Sequence, residues 1–460
     1  MRARAIALLA AAGASVAAFA ADLAIPKIAY SERTLANGLQ VITIEDHTSP
    51  TVAVQVWYHV GSKDDPQGRS GFAHLFEHLM FKSTKNMKAE QFDRLTEDVG
   101  GHNNASTADD FTNYFEAVPS NHLQRLLWAE AERMANLTVD EANFKSERAV
   151  VEEELRQRVL AQPYGRLFNA IPKDSYLVHP YKRPGIGSIE DLEAAKLQDV
   201  IDFHKTWYRP DYATLIVAGD FDPAELDKWV DQYFGALAKP ANQPVPRVAS
   251  VEPAWDKDRR YDEHGPNVPL PAVVLSWLAP PEKSADTAAL AVAASLLSNG
   301  ESSRLNQALV YRDQIAQSAD FGSTSGADNS LLYAFAVLAS GHKPEQAEKA
   351  LLAVIADTAT KPIPAAELDK VKTKLLTQAL TKRQTAEGKA FAIGEAVLLN
   401  GDAAAANDAL VRLQAVTAAD VARVLKQYVL DAHRVTIVYT QEAKPEDAAA
   451  KKPAAKGAKP

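Results

Sequence analysis

The sequence predicts an α+β protein of two homologous domains, each a mostly antiparallel sheet with helices packed on one face. Three observations predict it. The chain repeats itself at a fixed offset, each repeat mixes apolar strands with long amphipathic helices, and a Pro-rich stretch separates the repeats.

The repeat is read first, because a duplication sets the architecture before any motif does. Val200-Ile201-Asp202-Phe203 through Trp207 and Pro210 to Thr214-Leu215-Ile216-Val217 reads as an amphipathic helix, a short turn and an apolar strand. Val421 to Val424, Tyr428 and Val435-Thr436-Ile437-Val438 read the same way, and 421 − 200 = 221. Near that offset the strand Thr51 to Trp57 meets Ala272 to Trp277, and Asn113 to Val118 meets Leu332 to Val337. Within the first repeat the patterns predict strands over 39–45, 51–59 and 111–118, then helices over 120–136 and 138–160. Gly235 to Arg260 is rich in Pro, Ala and Asn, which favours an extended, exposed linker.

Both ends fall outside the body. Arg2 and Arg4, an Ala/Leu-rich run and Ala18-Phe19-Ala20 read as a cleavable export signal. Residues 441–460 are almost all Ala, Lys, Pro, Glu and Asp and cannot pack a core. The expected division is therefore 1–20 signal, 21–240 first domain, 241–260 linker, 261–440 second domain and 441–460 tail. The signal's apolar run is too short for a membrane span, so none is expected in the mature chain.

Composition removes several classes. There is no Cys, which excludes thiol nucleophiles, disulfides, Cys-ligated zinc and a lipoprotein anchor. The net charge is −9, or −11 without Arg2 and Arg4, which argues against nucleic acid as a partner. Export without Cys fits a periplasmic protein better than a secreted one. No Gly-rich phosphate loop and no G-x-S-x-G elbow occurs. Trp207, Tyr208, Trp277 and Tyr333 read as core.

One segment carries chemistry: Gly71-Phe72-Ala73-His74-Leu75-Phe76-Glu77-His78-Leu79-Met80-Phe81. Phe72, Leu75, Phe76, Leu79 and Met80 make it a half-buried helix. His74 and His78 are one turn apart on one face, within reach of a single ion, and Glu77 points the same way. Imidazole suits Zn²⁺, and a carboxylate beside it can take a proton from water. The bland alternative is a pair of satisfied core histidines, but two His and a Glu are costly to bury without a metal or a network.

A third ligand must come from elsewhere. Thr138-Val139-Asp140-Glu141 reads as a capping box opening a helix through Phe144, Glu147, Val151 and Leu155. On a helical projection Val151 and Leu155 fall within about 20° of Phe144, the buried stripe. Glu147 and Glu154 share one shoulder, near about −60° and −80°, while Glu153 points away. The projection selects Glu154 as ligand with Glu147 beside it; a solvated acidic run remains the alternative.

Taken together these residues resemble the inverzincin (H-x-x-E-H) peptidases that include pitrilysin, insulin-degrading enzyme and mitochondrial processing peptidase, over nearly the whole body. That family places a distal Glu ligand as far after its second His as Glu154 lies after His78, 154 − 78 = 76 residues. Its supporting acid seven residues earlier matches Glu147. Gly100-Gly101-His102-Asn103-Asn104-Ala105-Ser106-Thr107 is similar to the family's edge strand, which implies that Asn103, Asn104, Ala105 and Ser106 pair with substrate backbone. His179-Pro180-Tyr181, Gly185 to Gly187 and Val217 to Asp220 also fit. The resemblance implies processing-peptidase-like domain pairs enclosing a chamber. A chain of this short type then needs a second chain for the other half.

Two departures shape the expected function. At the 221-residue offset His74, Glu77 and His78 meet Ser295, Ser298 and Asn299, so one Zn²⁺ per chain is expected. The family's substrate-binding Arg and Tyr follow a run matched by Ser302-Ser303-Arg304-Leu305, yet their positions hold Val310 and Gln317, with Tyr311 and Arg312 in the wrong order. The expectation is a zinc metalloendopeptidase for short or unfolded peptides, with His74, His78 and Glu154 as ligands and Glu77 and Glu147 as its catalytic acids. A homologous partner would supply Arg and Tyr in a heterodimer, favoured over a homodimer. The rival is a non-catalytic scaffold or peptide-binding subunit of the same fold.

Overall fold

A computed structural model describes residues 24–239, 248 and 250–443. The expected signal and nearly all of the expected tail lie outside the described residues, as do residue 240 and residues 241–247 and 249 of the expected linker.

The first half forms a six-stranded sheet in the order β1-β2-β6-β3-β5-β4. Its strands are β1 (Ser31–Thr34), β2 (Gln40–Glu45), β3 (Thr51–Tyr58), β4 (His102–Thr107), β5 (Thr112–Pro119) and β6 (Ala213–Gly219). The second half forms a five-stranded sheet in the order β7-β11-β8-β10-β9. These are β7 (Arg259–Gly265), β8 (Ala272–Ala279), β9 (Ala316–Ser323), β10 (Ser330–Leu338) and β11 (Arg434–Gln441). Each sheet has one parallel pair, β2 with β6 and β7 with β11, and is otherwise antiparallel. The repeat is therefore a repeat of topology: β3 begins at 51 and β8 at 272, and 272 − 51 = 221.

The strands are buried on both faces for different reasons. Val52, Val54, Val56 and Tyr58 point to one face of β3 and join the core made with the first half's own helices, as predicted. The alternate residue Trp57 points to the other face, where Ile42, Ile216 and Ala218 join Ala390 and Ile393 of the helix Ala386–Glu395. That helix belongs to the second half. The exchange is mutual: Leu167 and Ile171 of the helix Gly165–Ser175 pack on Val274, Val435 and Ile437 of the second sheet. The two exchanged helices begin 386 − 165 = 221 residues apart. Each half thus covers a sheet face that its partner would otherwise expose, which explains why β3 and β8 are nearly unbroken apolar runs. Trp207, Tyr208 and Trp277 are buried in the core and Tyr333 packs at its margin.

Two local expectations are corrected. The helix predicted over 138–160 runs α-helically over Glu141–Leu155 and ends in a π-turn, Arg156–Leu160. Its cap is Asp140, whose side chain accepts the Asn143 N–H, so the box read from Thr138 does not form. An Asp at the N-cap satisfies an unpaired first-turn donor as well as Thr does. The described part of the linker is anchored as well. Glu252 is buried and accepts the N–H groups of Leu177, Val178 and His179, and β7 already begins at Arg259.

Candidate metal centre

His74, Glu77 and His78 lie on the helix Phe72–Leu79, whose buried side is Phe72, Ala73, Leu75, Phe76 and Leu79. The apolar stripe seats the helix against the first core and turns the histidine face toward the neighbouring helix Glu141–Leu155. That helix buries Phe144, Glu147, Val151 and Leu155, so its shoulder faces the histidines. Glu154 Oε2 stands 3.4 Å from His78 Nε2 and 3.8 Å from His74 Nε2. One donor atom from each of the three residues lies within 4.8 Å of the others. Their side chains are 14–23% exposed, open enough to meet a ligand.

These donors suit zinc. Tetrahedral coordination at about 2.0–2.1 Å sets ligand atoms about 3.3–3.4 Å apart, close to the two Glu154 distances. Two imidazoles and one carboxylate leave a fourth position open, the arrangement of a reactive rather than a closed site. Glu147 stands behind His78, its Oε2 3.6 Å from His78 Nδ1, where it can hold the imidazole with Nε2 turned to the ion. Two further residues, unforeseen from the sequence, complete the surroundings. Lys82 Nζ lies 2.7 Å from Glu147, and Arg158 donates to Glu154 Oε1 at 2.6 Å, leaving Oε2 facing the histidines. Lys82 is one turn beyond His78 and Arg158 one turn beyond Glu154, but helical spacing alone cannot separate such cations from ordinary surface pairs.

The two histidines are shifted in opposite directions, although the acids favour charge on both. Burial, then the neighbouring His78, pushes His74 down to about 4. Burial opposes charge on His78 as well, but Glu147, Glu77 and Glu154 outweigh it and hold the imidazole above its usual value. Burial raises the Glu77 carboxyl, against a 2.6 Å hydrogen bond donated to its Oε2 by Thr107. A carboxyl moved toward neutral pH can both take and return a proton.

Thr107 ends β4, and β4 is an edge: among the described residues it pairs only with β5. Asn103, Asn104, Ala105 and Ser106 therefore lie on an edge strand whose end touches Glu77, and on it the Ala105 N–H donates to Asn104 Oδ1 at 2.8 Å. In the second half, Arg304 is bound by Glu367 through two hydrogen bonds, Gln317 and Tyr311 are exposed, and Arg312 pairs with Asp313. Among the described residues the only group of donors close enough to share an ion is His74, His78 and Glu154.

Fold and donor set together resemble those of metallopeptidases. Residues 40–188 match the model described as "Insulinase (Peptidase family M16)" and residues 194–375 the one described as "Peptidase M16 inactive domain". The "Zinc protease PqqE" of Helicobacter pylori is 32% identical over 408 residues, covering 88% of this chain and 91% of that protein. The "Probable mitochondrial-processing peptidase subunit beta" of Schizosaccharomyces pombe is 27% identical over 427 residues, covering 89% and 91%. A crystal structure of a protease from Helicobacter pylori superposes with a TM-score of 0.86 at 31% identity, covering 90% of this chain and all of that one. The periplasmic protease PqqL of Escherichia coli shares the fold with a TM-score of 0.73 at 19% identity. There the match spans 94% of this chain but 51% of that one. The chain belongs to peptidase family M16.

Proposed function

We propose that the chain is a zinc metalloendopeptidase for short or unfolded peptides and the metal-bearing subunit of a heterodimer, acting in the periplasm after export. The observation that carries this reading is the placement of three metal donors beside the Glu77 carboxyl, which one hydrogen bond from Thr107 ties to an edge strand. Bound zinc would supply a Lewis acid held by His74, His78 and Glu154. Glu77 accepts the proton of the attacking water and returns it to the leaving amine. Thr107 holds Oε2 of Glu77, which leaves Oε1 as the oxygen to take the proton. An extended peptide adds to β4 by main-chain hydrogen bonds, and a peptide on that edge must pass Glu77. Most backbone groups of a folded protein are already paired internally, so short or unfolded peptides are the class this edge favours.

The heterodimer rests on what stands at two positions. Val310 and Gln317 can offer no cationic or phenolic donor to a developing oxyanion, and one such donor is worth roughly 3 kcal/mol. A homologous partner bearing Arg and Tyr would restore it. The Schizosaccharomyces pombe relative is named as one subunit of its enzyme, and the Escherichia coli structure is a chain twice as long. The test is cleavage of a quenched fluorogenic peptide library by the zinc-loaded chain, alone and mixed with family members from the same cell. Chelator-sensitive cleavage that rises on mixing is expected. An active dimer of this polypeptide alone would exclude the heterodimer. If zinc-loaded mixtures cleave nothing, the chain is a scaffold.

A further inference from the structure

The second half touches the first where the two parts of the proposed active site meet. The helix Phe72–Leu79 is held at its start by Asp65, whose buried carboxylate accepts the N–H groups of Gly71 at 2.7 Å and Ala73 at 2.8 Å. Asp65 belongs to the turn 61–65, and that turn is sewn to the chain just beyond β4. Ser62 N–H donates to Ala108 O, Lys63 N–H to Asp109 O, and Ser62 Oγ to Asp109 Oδ1. Gly61 makes the approach possible, because a Cβ there would stand 2.4 Å from the backbone of Ala108 and Asp109. One short unit therefore links the cap of the histidine helix to the end of the substrate strand.

A loop of the second half closes over this unit. Lys63 Nζ lies 2.6 Å from Asp110 and 3.2 Å from Asp328 of the second half. Asp110 is only 3% exposed; it also accepts the Ala327 N–H at 2.9 Å and the Tyr181 hydroxyl at 2.7 Å. Gly326 lies against the Tyr181 ring, where a Cβ would come within 3.0 Å. Lys63 and Asp110 are largely withdrawn from water, where removing one partner of an ion pair is strongly destabilising.

We propose that the loop 324–330 of the second half is a positioning element for hydrolysis: by engaging Lys63 and Asp110 it locks the turn that caps the histidine helix to the turn that ends β4, keeping Glu77 in register with Thr107. Lys63, Asp110 and Asp328 are positioning residues, since none of them touches the reacting atoms. The proposal rests on the peptidase reading above and gives a metal-free half a task inside its own chain.

Hydrogen-exchange mass spectrometry of the zinc-loaded chain, with kcat and KM on a fluorogenic peptide, tests it. Lys63→Met should speed exchange over residues 62–76 and 105–112 and leave β8 protected. It should lower kcat about tenfold with KM and zinc content unchanged, and Lys63→Arg, which keeps the charge, should recover most of the loss. Asp328→Asn should act in the same direction and add nothing on top of Lys63→Met. Unchanged exchange in those two segments, or a uniform rise over the whole chain, would overturn the lock. So would additive effects of the two substitutions. If the wild type cleaves nothing, alone or mixed with family members, but the local exchange difference is present, the peptidase reading fails and the lock between the halves stands.

Discussion

At the offset of 221 residues, His74, Glu77, His78, Glu147 and Glu154 of the first half face Ser295, Ser298, Asn299, Leu368 and Leu375 of the second. The backbones around them are alike, but the second set forms no donor group. Ser298 donates to Phe321 O, Asn299 is held by Lys374, and Leu368 is buried. The contrast extends to the core. On the helix Leu123–Asn136, Glu130 and Arg133 are fully buried with Glu116 of β5; the guanidinium pairs with both carboxylates and lies over the Phe92 and Tyr114 rings. The equivalent positions on the helix Pro344–Thr360 are Leu351 and Val354. One fold thus accepts either polar chemistry or plain apolar filling at the same sites, which separates what the fold requires from what activity requires.

The sharpest way to break this comparison is to make the first half resemble the second at one atom pair. Glu77→Gln should lower peptide hydrolysis about 10²–10⁴-fold while metal analysis still finds zinc, because the donors His74, His78 and Glu154 are intact. A variant that keeps its activity would remove Glu77 from the mechanism. The buried triad offers the next largest effect. Arg133→Met strands two buried carboxylates and should cost about 3–5 kcal/mol in urea unfolding. Replacing Glu116, Glu130 and Arg133 together by Leu, Leu and Met, in the style of the second half, should recover most of that loss. If the triple variant is the least stable, the two cores are not interchangeable.

A smaller effect tests the exchanged helices. A Cβ at Gly394 would stand 2.2 Å from the Trp57 ring, so Gly394→Ala should unseat the second half's helix at a cost of about 1–3 kcal/mol, read as a lower melting temperature. The smallest effect is a pH dependence of the joint between halves. Asp46 is held at about 2, below its ordinary 3.8, chiefly by Lys389 of the second half, and Asp328 at about 2 by His179 with help from Lys63. A depressed carboxyl stabilises the fold above its unfolded value, so this contribution is complete above about pH 4 and fades as pH falls toward 2. Urea midpoints measured across that window should flatten in Asp46→Asn; an unchanged slope would show that the Lys389 pair contributes nothing.

Much of this was legible in the sequence because it rests on periodicity. The repeat at 221, the strands β2, β3 and β5, the histidine face and the shoulder shared by Glu147 and Glu154 all follow from spacings of two or 3.6 residues, which the chain carries locally. Most of what was not legible depends on residues distant in sequence. Nothing local marks the helices Gly165–Ser175 and Ala386–Glu395 for each other's sheets, because an apolar stripe does not say which sheet it will cover. Lys82 and Arg158 look like ordinary surface cations until the acids they meet are in place. Asp140 and Thr138 are both good caps, and only the start of the helix chose between them.

The sequence by itself pointed to two like halves and to His74, His78 and Glu154 as candidate metal donors that the second half lacks. Those are matters of residue identity at fixed spacing. Tertiary structure alone decided that Glu154 meets two histidines some 76 residues away, that β4 is an edge whose Thr107 reaches Glu77, and that the second half closes on Lys63 and Asp110. The reason is physical: these contacts are made by packing two sheets and exchanging a helix each way, and such packing is a property of the assembled core and of no single segment.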